Sequence, residues 1–119
     1  MSNKLLIYID ETQCFDLATT IQTISAIEGT SNASQGDFIG ALFECNYSYA
    51  GRETIVRISE DLRTIVMEGI GAESAEFAVK FQQCTTIPLH VIDMNYDFDL
   101  ELSEFQTGQE LIIAMNEAD

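Results

Sequence analysis

The chain has 119 residues, enough for one domain with a hydrophobic core that needs no disulfides. It carries 5 Lys and Arg against 20 Asp and Glu, a formal net charge of −15, and 46% of its residues are hydrophobic. This acidity excludes ordinary binding to nucleic acids or anionic membranes, because both require a basic surface. It favours a basic partner, a cation or plain solubility. We expect a single domain over residues 1–119.

The charge is concentrated towards the end of the sequence. Residues 1–80 hold 12 acids and 5 bases, whereas residues 81–119 hold 8 acids and no Lys or Arg. The three cysteines, Cys14, Cys45 and Cys84, are odd in number and far apart, which predicts free thiols in a reducing compartment. The apolar run before Asp10 is too short for a signal peptide or a membrane span. We therefore expect a soluble, cytoplasmic protein.

The first third of the chain predicts a strand, a helix and a loop. Leu5–Ile9 is typical of a short buried strand, and apolar residues at helical spacing predict a helix over Thr12–Ile27. Thr12 is the predicted N-cap, and Gly29 is the predicted stop. The polar, glycine-bounded run Gly29–Gly36 predicts a surface loop.

The region Asp37–Met67 predicts a central hairpin. Odd-numbered apolar residues from Ile39 to Tyr49 face even-numbered ones on a return strand after the turn at Ala50-Gly51. The same register places Phe43 opposite Ile58, and it also places Glu44 opposite Arg57 on the other face of the sheet. Alanine is a poor first residue for a type I′ turn, so we expect a loop longer than two residues.

Helix-capping residues, turn residues and proline predict the remaining helices and strands. A turn at Glu60-Asp61 leads to a further short strand, and a helix is predicted over Ala72–Cys84. Pro88–Ile92 predicts a strand, and the capping box at Thr107–Glu110 begins a last helix from Gly108 to about Ala118. The order β-α-β-β-β-α-β-β-α predicts an α+β domain. Its sheet is mainly antiparallel, with about six strands and three helices packed against it.

One segment alternates strictly between apolar and acidic residues. Tyr96, Phe98, Leu100 and Leu102 form its predicted core side, and an acidic row lies on the other side, about 7 Å between neighbours. Like charges at this spacing repel, which indicates that the row meets something positive. The predicted partner-binding residues are Asp93, Asp97, Asp99, Glu101 and Glu104.

A calcium module is the first alternative for the same segment. Asp93, Asn95, Asp97, Asp99 and Glu104 follow the ligand spacing of an EF-hand loop. Phe98, however, occupies the position where that loop needs glycine, and the preceding residues predict a strand instead of a helix. We therefore prefer the strand interpretation and expect no metal or cofactor.

No catalytic residue is predicted. His90, the only histidine, is flanked by Leu89 and Val91, which favours a structural, hydrogen-bonded imidazole. A nucleophile–base pair of Cys84 with His90 is the weaker interpretation, because a cysteine at a helix end against a core is usually inert. The arginines of the central hairpins are interspersed with acids and predict internal ion pairs. We do not expect an enzyme.

The composition and the closing arrangement resemble a known class of proteins. The strand Pro88–Ile92, the alternating strand Tyr96–Leu102 and the short final helix are similar to the ends of some immunity proteins of bacterial contact-dependent growth inhibition systems. The resemblance implies a monomer that binds one toxin domain, often a basic nuclease, and blocks its active site. Complementary charge would speed that association. A secretion chaperone and a nucleic-acid mimic are further alternatives.

Overall fold

A seven-stranded antiparallel sheet organises the chain. The computed structural model describes residues 4–38 and 41–117. In chain order the elements are β1 (Leu5–Tyr8), α1 (Leu17–Ala26), β2 (Thr30–Phe38), β3 (Ala41–Tyr49), β4 (Arg52–Ser59), β5 (Thr64–Met67), α2 (Ala72–Gln83), β6 (His90–Asp93), β7 (Asp99–Glu101) and α3 (Gly108–Glu117). A short 3₁₀ turn, Leu102–Glu104, follows β7. The strand order across the sheet is β2-β3-β4-β5-β1-β6-β7. The predicted α+β class is confirmed, with one strand more than expected.

The additional strand is β2, and the prediction of a loop over Gly29–Gly36 was wrong. Residues 30–38 pair with β3, with register irregularities between Ser31 and Ser34 and between Gln35 and Phe38. The side chains of residues 31–36 are all exposed, so the strand has no apolar alternation that the sequence could reveal. Polar residues and irregular pairing are usual for an edge strand, where they hinder aggregation.

The central hairpin has the predicted register. Phe43 pairs with Ile58, Cys45 with Val56 and Glu44 with Arg57. The loop is only two residues long, because Tyr49 pairs with Arg52, so the expectation of a longer loop was wrong. Ala50 and Gly51 both adopt positive φ, at 53° and 80°, which is the backbone of a type I′ turn. The predicted start of β3 at Ile39 lies outside the described residues.

Helix α1 begins later than predicted. Thr12 does not cap it, because the carboxylate of Asp10 accepts hydrogen bonds from the backbone N–H and the hydroxyl of Thr12, both at 2.8 Å. This local turn competes with a helical start, as short polar side chains often do. Asp16 is the actual N-cap and accepts from the N–H of Thr19 at 2.9 Å. Cys14 is consequently exposed and does not join an apolar stripe.

The helices and one face of the sheet enclose the core. The core residues of the sheet include Leu5, Ile7, Phe43, Tyr47, Val56, Ile58, Ile65 and Met67, all exposed by 1% or less. Ile24 of α1, Phe77 and Phe81 of α2, and Leu111 and Met115 of α3 belong to the same cluster. Each such side chain contributes about 1.5–3 kcal/mol when it is fully buried. Because all three helices contribute to this one cluster, they lie on the same side of the sheet.

The last helix begins with the predicted capping box, in a shifted form. The Thr107 hydroxyl accepts from the N–H of Glu110 at 3.1 Å, while the Glu110 carboxylate accepts from the N–H of Gln106 at 2.8 Å. Gly108 lies against α2, and its N–H donates to Oε1 of Glu76 at 3.0 Å. The predicted end of this helix at Ala118 lies outside the described residues. No helix in the described part of the chain has the length and apolar character needed to cross a membrane.

Candidate functional site

The sheet face opposite the helices, here called the open face, is only partly covered by the chain. Its central row crosses six strand pairs, because each residue is the direct pairing partner of the next. From β2 to β7 this row is Ser34, Glu44, Arg57, Val66, Leu6, Ile92 and Asp99. Directly paired side chains are about 4.5–5.5 Å apart. The centre of the row is thus apolar, and its β7 end is acidic.

A second row beside the first contains an aromatic and acidic cluster. Tyr8 pairs with Thr64 on one side and with His90 on the other, and His90 pairs with Glu101. The rings of Tyr8 and His90 are stacked with centroids 5.1 Å apart. The Tyr8 hydroxyl donates to Oδ2 of Asp99 at 2.7 Å, and Nδ1 of His90 lies 2.9 Å from Oδ1. Asp99 therefore joins both rings, and we name Tyr8, His90 and Asp99 the Asp99 cluster.

The hydrogen bond from Tyr8 to Asp99 affects the pKa of Tyr8. Partial burial, followed by the hydrogen bond to Asp99 and the charge of that carboxylate, raises the pKa of Tyr8 to about 12. Tyr8 is therefore a neutral donor at physiological pH. Because an ionised carboxylate only accepts hydrogen bonds, Nδ1 is the nitrogen through which His90 donates to Asp99. The cluster thus offers a negative charge held by two oriented rings.

Two clefts adjoin the Asp99 cluster. The first, of about 300 Å³, is lined by Leu6, Tyr8, Thr64, Ile92, Tyr96 and Asp99, and we call it the Tyr96 cleft. The second, of about 630 Å³, is lined by Tyr8, Ile9, Asp10, Glu11, Gln13, Pro88 and His90, and we call it the Asp10 cleft. Hydrogen bonds from Thr12 hold the pKa of Asp10 below its ordinary value, so this carboxyl group is charged at neutral pH. Both clefts thus combine apolar walls with carboxylates.

The basic residues of the open face already have acidic partners. Nε of Arg57 lies 2.7 Å from Oε1 of Glu44, and Nη1 lies 2.8 Å from Oε1 of Glu68. Nζ of Lys4 is 3.5 Å from Oε2 of Glu68. The hydrogen bond from Arg57, with the charge of Lys4, holds the pKa of Glu68 below its ordinary value. The predicted internal ion pairing is confirmed for Arg57. Within the described residues, Asp99 and Glu101 at the β7 end form no salt bridge with a lysine or arginine.

The structure divides the predicted acidic row between the two sides of the sheet. Asp99 and Glu101 lie on the open face and are exposed. Asp93 pairs with Leu5, whose side chain is in the core, and only 8% of Asp93 is exposed. Its carboxylate accepts the N–H of Asp97 at 2.7 Å, and both residues line a small cleft against α3. Glu104 is exposed in the 3₁₀ turn. The five carboxylates therefore do not form one row.

The turn between β6 and β7 explains this division. Tyr96 donates its N–H to the carbonyl of Asp93 at 3.2 Å and has a positive φ of 58°. This tight turn interrupts the alternation, so that β7 begins only at Asp99. The expectation that Tyr96 packs into the core was wrong, because 76% of it is exposed. Phe98 and Leu102 are buried as predicted, at 8% and 0% exposure, and Leu100 packs partly against the core.

The positions of these residues also concern two alternatives from the sequence, the calcium-binding loop and the Cys84–His90 nucleophile–base pair. A strand, β6, precedes the acidic segment, as the sequence predicts, where an EF-hand has a helix. Asp93 and Asp99 lie on opposite faces of the sheet, so they do not converge on one ion. Among the described residues, no group of three or more His, Cys, Asp and Glu side chains has an arrangement that could hold a metal. Cys84 is the exposed C-cap of α2, on the helix side, whereas His90 lies on the open face.

Sequence reasoning missed Tyr8, Leu6 and Val66 as members of the site. These residues lie on strands that the sequence predicts, but their meeting with β6 and β7 depends on the placement of β1 between β5 and β6. The only local signal is that Tyr8 and Val66 alternate with buried neighbours. His90 is hydrogen-bonded, as predicted, though its side chain is 37% exposed.

Comparisons with known proteins do not add to this description. No family model, no curated protein and no solved structure matches the chain. Function is therefore inferred from the chemistry of the open face.

Proposed function

We propose that this protein binds a basic protein partner through the open face of its sheet and that it neutralises a toxin domain in this way. The observation that carries the proposal is the composition of that face. A half-buried apolar pair, Val66 and Leu6, continues through Ile92, which is 9% exposed, into the exposed Asp99, with Glu101 beside it. A few central residues that become fully desolvated on binding supply most of the affinity of protein interfaces, while charges at the rim set the association rate.

The charge of the whole molecule supports a basic partner over a second copy of the chain. With a net charge of −15, two copies repel one another as they approach. A positively charged partner is attracted instead, and complementary charge raises association rates well above those of neutral pairs. Rapid capture suits an inhibitor that must bind a toxin before it acts. The resemblance to immunity proteins supports a toxin as the partner, blocked at its active site, and a monomeric free state.

Co-expression with a basic toxin domain encoded beside this chain tests the proposal. We expect the wild-type protein to restore growth and the open-face variant Asp99→Lys/Glu101→Lys to fail. The matched control Glu28→Lys/Glu117→Lys makes the same change in net charge at exposed residues outside the open face. Thermal unfolding of each variant establishes that it folds. Full protection by the open-face variant, at wild-type expression, would contradict the proposal.

A further inference from the structure

We infer that the Tyr96 cleft is a binding site for an arginine side chain. This inference rests on the proposed function, since it names the group through which a basic partner engages the open face. The cleft is about 300 Å³ in volume, at the lower end of the range of ligand sites, which suits one side chain better than a whole cofactor. Its lining has no lysine or arginine among the described residues.

The walls of the cleft match the two parts of an arginine. Leu6 and Ile92 are neighbours across the β1–β6 pair and form an apolar floor for the aliphatic stem. Tyr8 and Tyr96 lie at its aromatic edges, and Tyr96 is 76% exposed, so its ring is free of the core. A planar guanidinium stacks on aromatic faces and binds carboxylates through two parallel N–H donors, whereas a lysine ammonium has no plane to stack and acts as a point charge.

Asp99 supplies the charge and still has room to accept. Each of its oxygens takes one hydrogen bond, from Tyr8 and from His90, while an ionised carboxylate offers about four acceptor positions. These two bonds also hold the carboxylate in place before the ligand arrives, which reduces the ordering cost of binding. Its side chain remains 55% exposed. The remaining acceptor positions are therefore available to a guanidinium that lies over the cleft.

The neighbouring Asp10 cleft is the natural comparison. It is larger and contains Asp10 and Glu11, but its apolar lining is Ile9 and Pro88 instead of a paired aliphatic floor. In addition, Oδ1 of Asp10 already accepts a hydrogen bond from the N–H of Thr12, at 2.8 Å. An arginine held by charge alone would not distinguish the two clefts, whereas one held by stem packing and stacking would choose the Tyr96 cleft.

The test uses small probes and needs no toxin. We expect N-acetyl-arginine amide to shift the NMR signals of Tyr96, Ile92 and Leu6 saturably, with a millimolar dissociation constant, and N-acetyl-lysine amide to bind more weakly. Asp99→Asn should weaken the arginine probe by about tenfold or more, because hydrogen bonds to charged groups are worth that much. Tyr96→Asn, which keeps a residue tolerant of positive φ, should also weaken it. Asp10→Asn is the matched control and should leave binding within about twofold.

Three results would overturn the inference. The first is no saturable shift with arginine, the second is equal binding of the lysine probe, and the third is a loss of binding in Asp10→Asn but not in Asp99→Asn. Each of these leaves the proposed function standing if Asp99→Lys/Glu101→Lys still abolishes protection. Arginine binding with full protection by that double variant would support the cleft and contradict the proposed function.

Discussion

Asp93 and Asp99 lie at the two ends of one turn, yet their carboxylates are on opposite faces of the sheet. Ile92, next to Asp93, pairs with Asp99 and shares its open face, whereas Asp93 pairs with Leu5 and is only 8% exposed. Asp93 therefore stabilises the turn by accepting a hydrogen bond from the N–H of Asp97. Asp99 lies on the open face, where its carboxylate is hydrogen-bonded to both Tyr8 and His90. Two chemically identical side chains, close in sequence, thus have a structural and a candidate binding role.

The first prediction concerns the Asp99 cluster. Spectrophotometric titration of the folded protein should show Tyr8 ionising near pH 12, and Asp99→Asn should lower that pKa by removing a hydrogen-bond acceptor and a negative charge. Tyr8→Phe identifies the transition by deleting it. The pKa of Tyr8 in the folded state lies above the ordinary value of 10.0. The stability that Tyr8 contributes is therefore fully present below pH 10.0 and is lost as the pH rises through about 12. An unchanged titration of Tyr8 in Asp99→Asn would rule out this coupling.

A second prediction concerns Arg57, which bonds both Glu44 and Glu68. Arg57→Met should lower the free energy of unfolding by about 1 kcal/mol, since Glu44 then loses its ion-pair partner and Glu68 keeps only Lys4, at 3.5 Å. The exposed Arg52 gives the control, because Arg52→Met should change stability by less than about 0.5 kcal/mol. Urea unfolding measures both, and equal effects would contradict the network.

The same network has a defined pH dependence. The pKa of Glu68 is lowered in the folded state, chiefly by the hydrogen bond from Arg57. Its contribution to stability is therefore present above the ordinary glutamate pKa and is lost as the pH falls through the lowered value. In Arg57→Met this acid-dependent loss should become smaller.

A third prediction uses the strained turn of the central hairpin. Ala50 has a φ of +53°, a region that costs an alanine about 1 kcal/mol and costs asparagine less. Ala50→Asn creates the Asn-Gly pair favoured in type I′ turns and should stabilise the protein by about 0.5–1 kcal/mol. A rise in the urea midpoint at unchanged slope is the expected result. Destabilisation would show that this turn is not type I′ in solution.

A fourth prediction concerns the contact between α2 and α3. A Cβ added at Gly108 would lie 2.7 Å from the backbone N and Cα of Glu76, so one of the helices has to move. Gly108→Ala should therefore cost about 1–3 kcal/mol, the usual range for overpacking. Gly36 offers the matched control, since a Cβ there meets nothing within 4 Å. Equal unfolding free energies for the two alanine variants would contradict the close approach.

The central hairpin was predictable because two independent patterns agreed on its register. The buried pair Phe43 and Ile58 and the ion pair Glu44 and Arg57 satisfy the same alignment on opposite faces. Strand β2 was not predictable in the same way, because its exposed polar side chains carry no alternation and its order comes from pairing with β3.

The acidic residues of the site were predictable only in part. Asp99 and Glu101 lie on the solvated side of their strand, as the alternation indicates. The pattern did not reveal the turn that places Tyr96 at positive φ and removes Asp93 from the surface. Nor does any local pattern bring Tyr8 to His90, since that contact depends on β1 lying between β5 and β6.

The central claim is that the open face, and not the helix side, contacts the basic partner. Methyl NMR of the protein, labelled at Ile, Leu and Val and titrated with the toxin domain, tests this most directly. We expect the signals of Leu6, Val66 and Ile92 to shift or broaden on binding, while Ile112 and Ile113 of α3, on the other side, stay unchanged. Binding that perturbs α3 and leaves Leu6, Val66 and Ile92 unaffected would contradict the account.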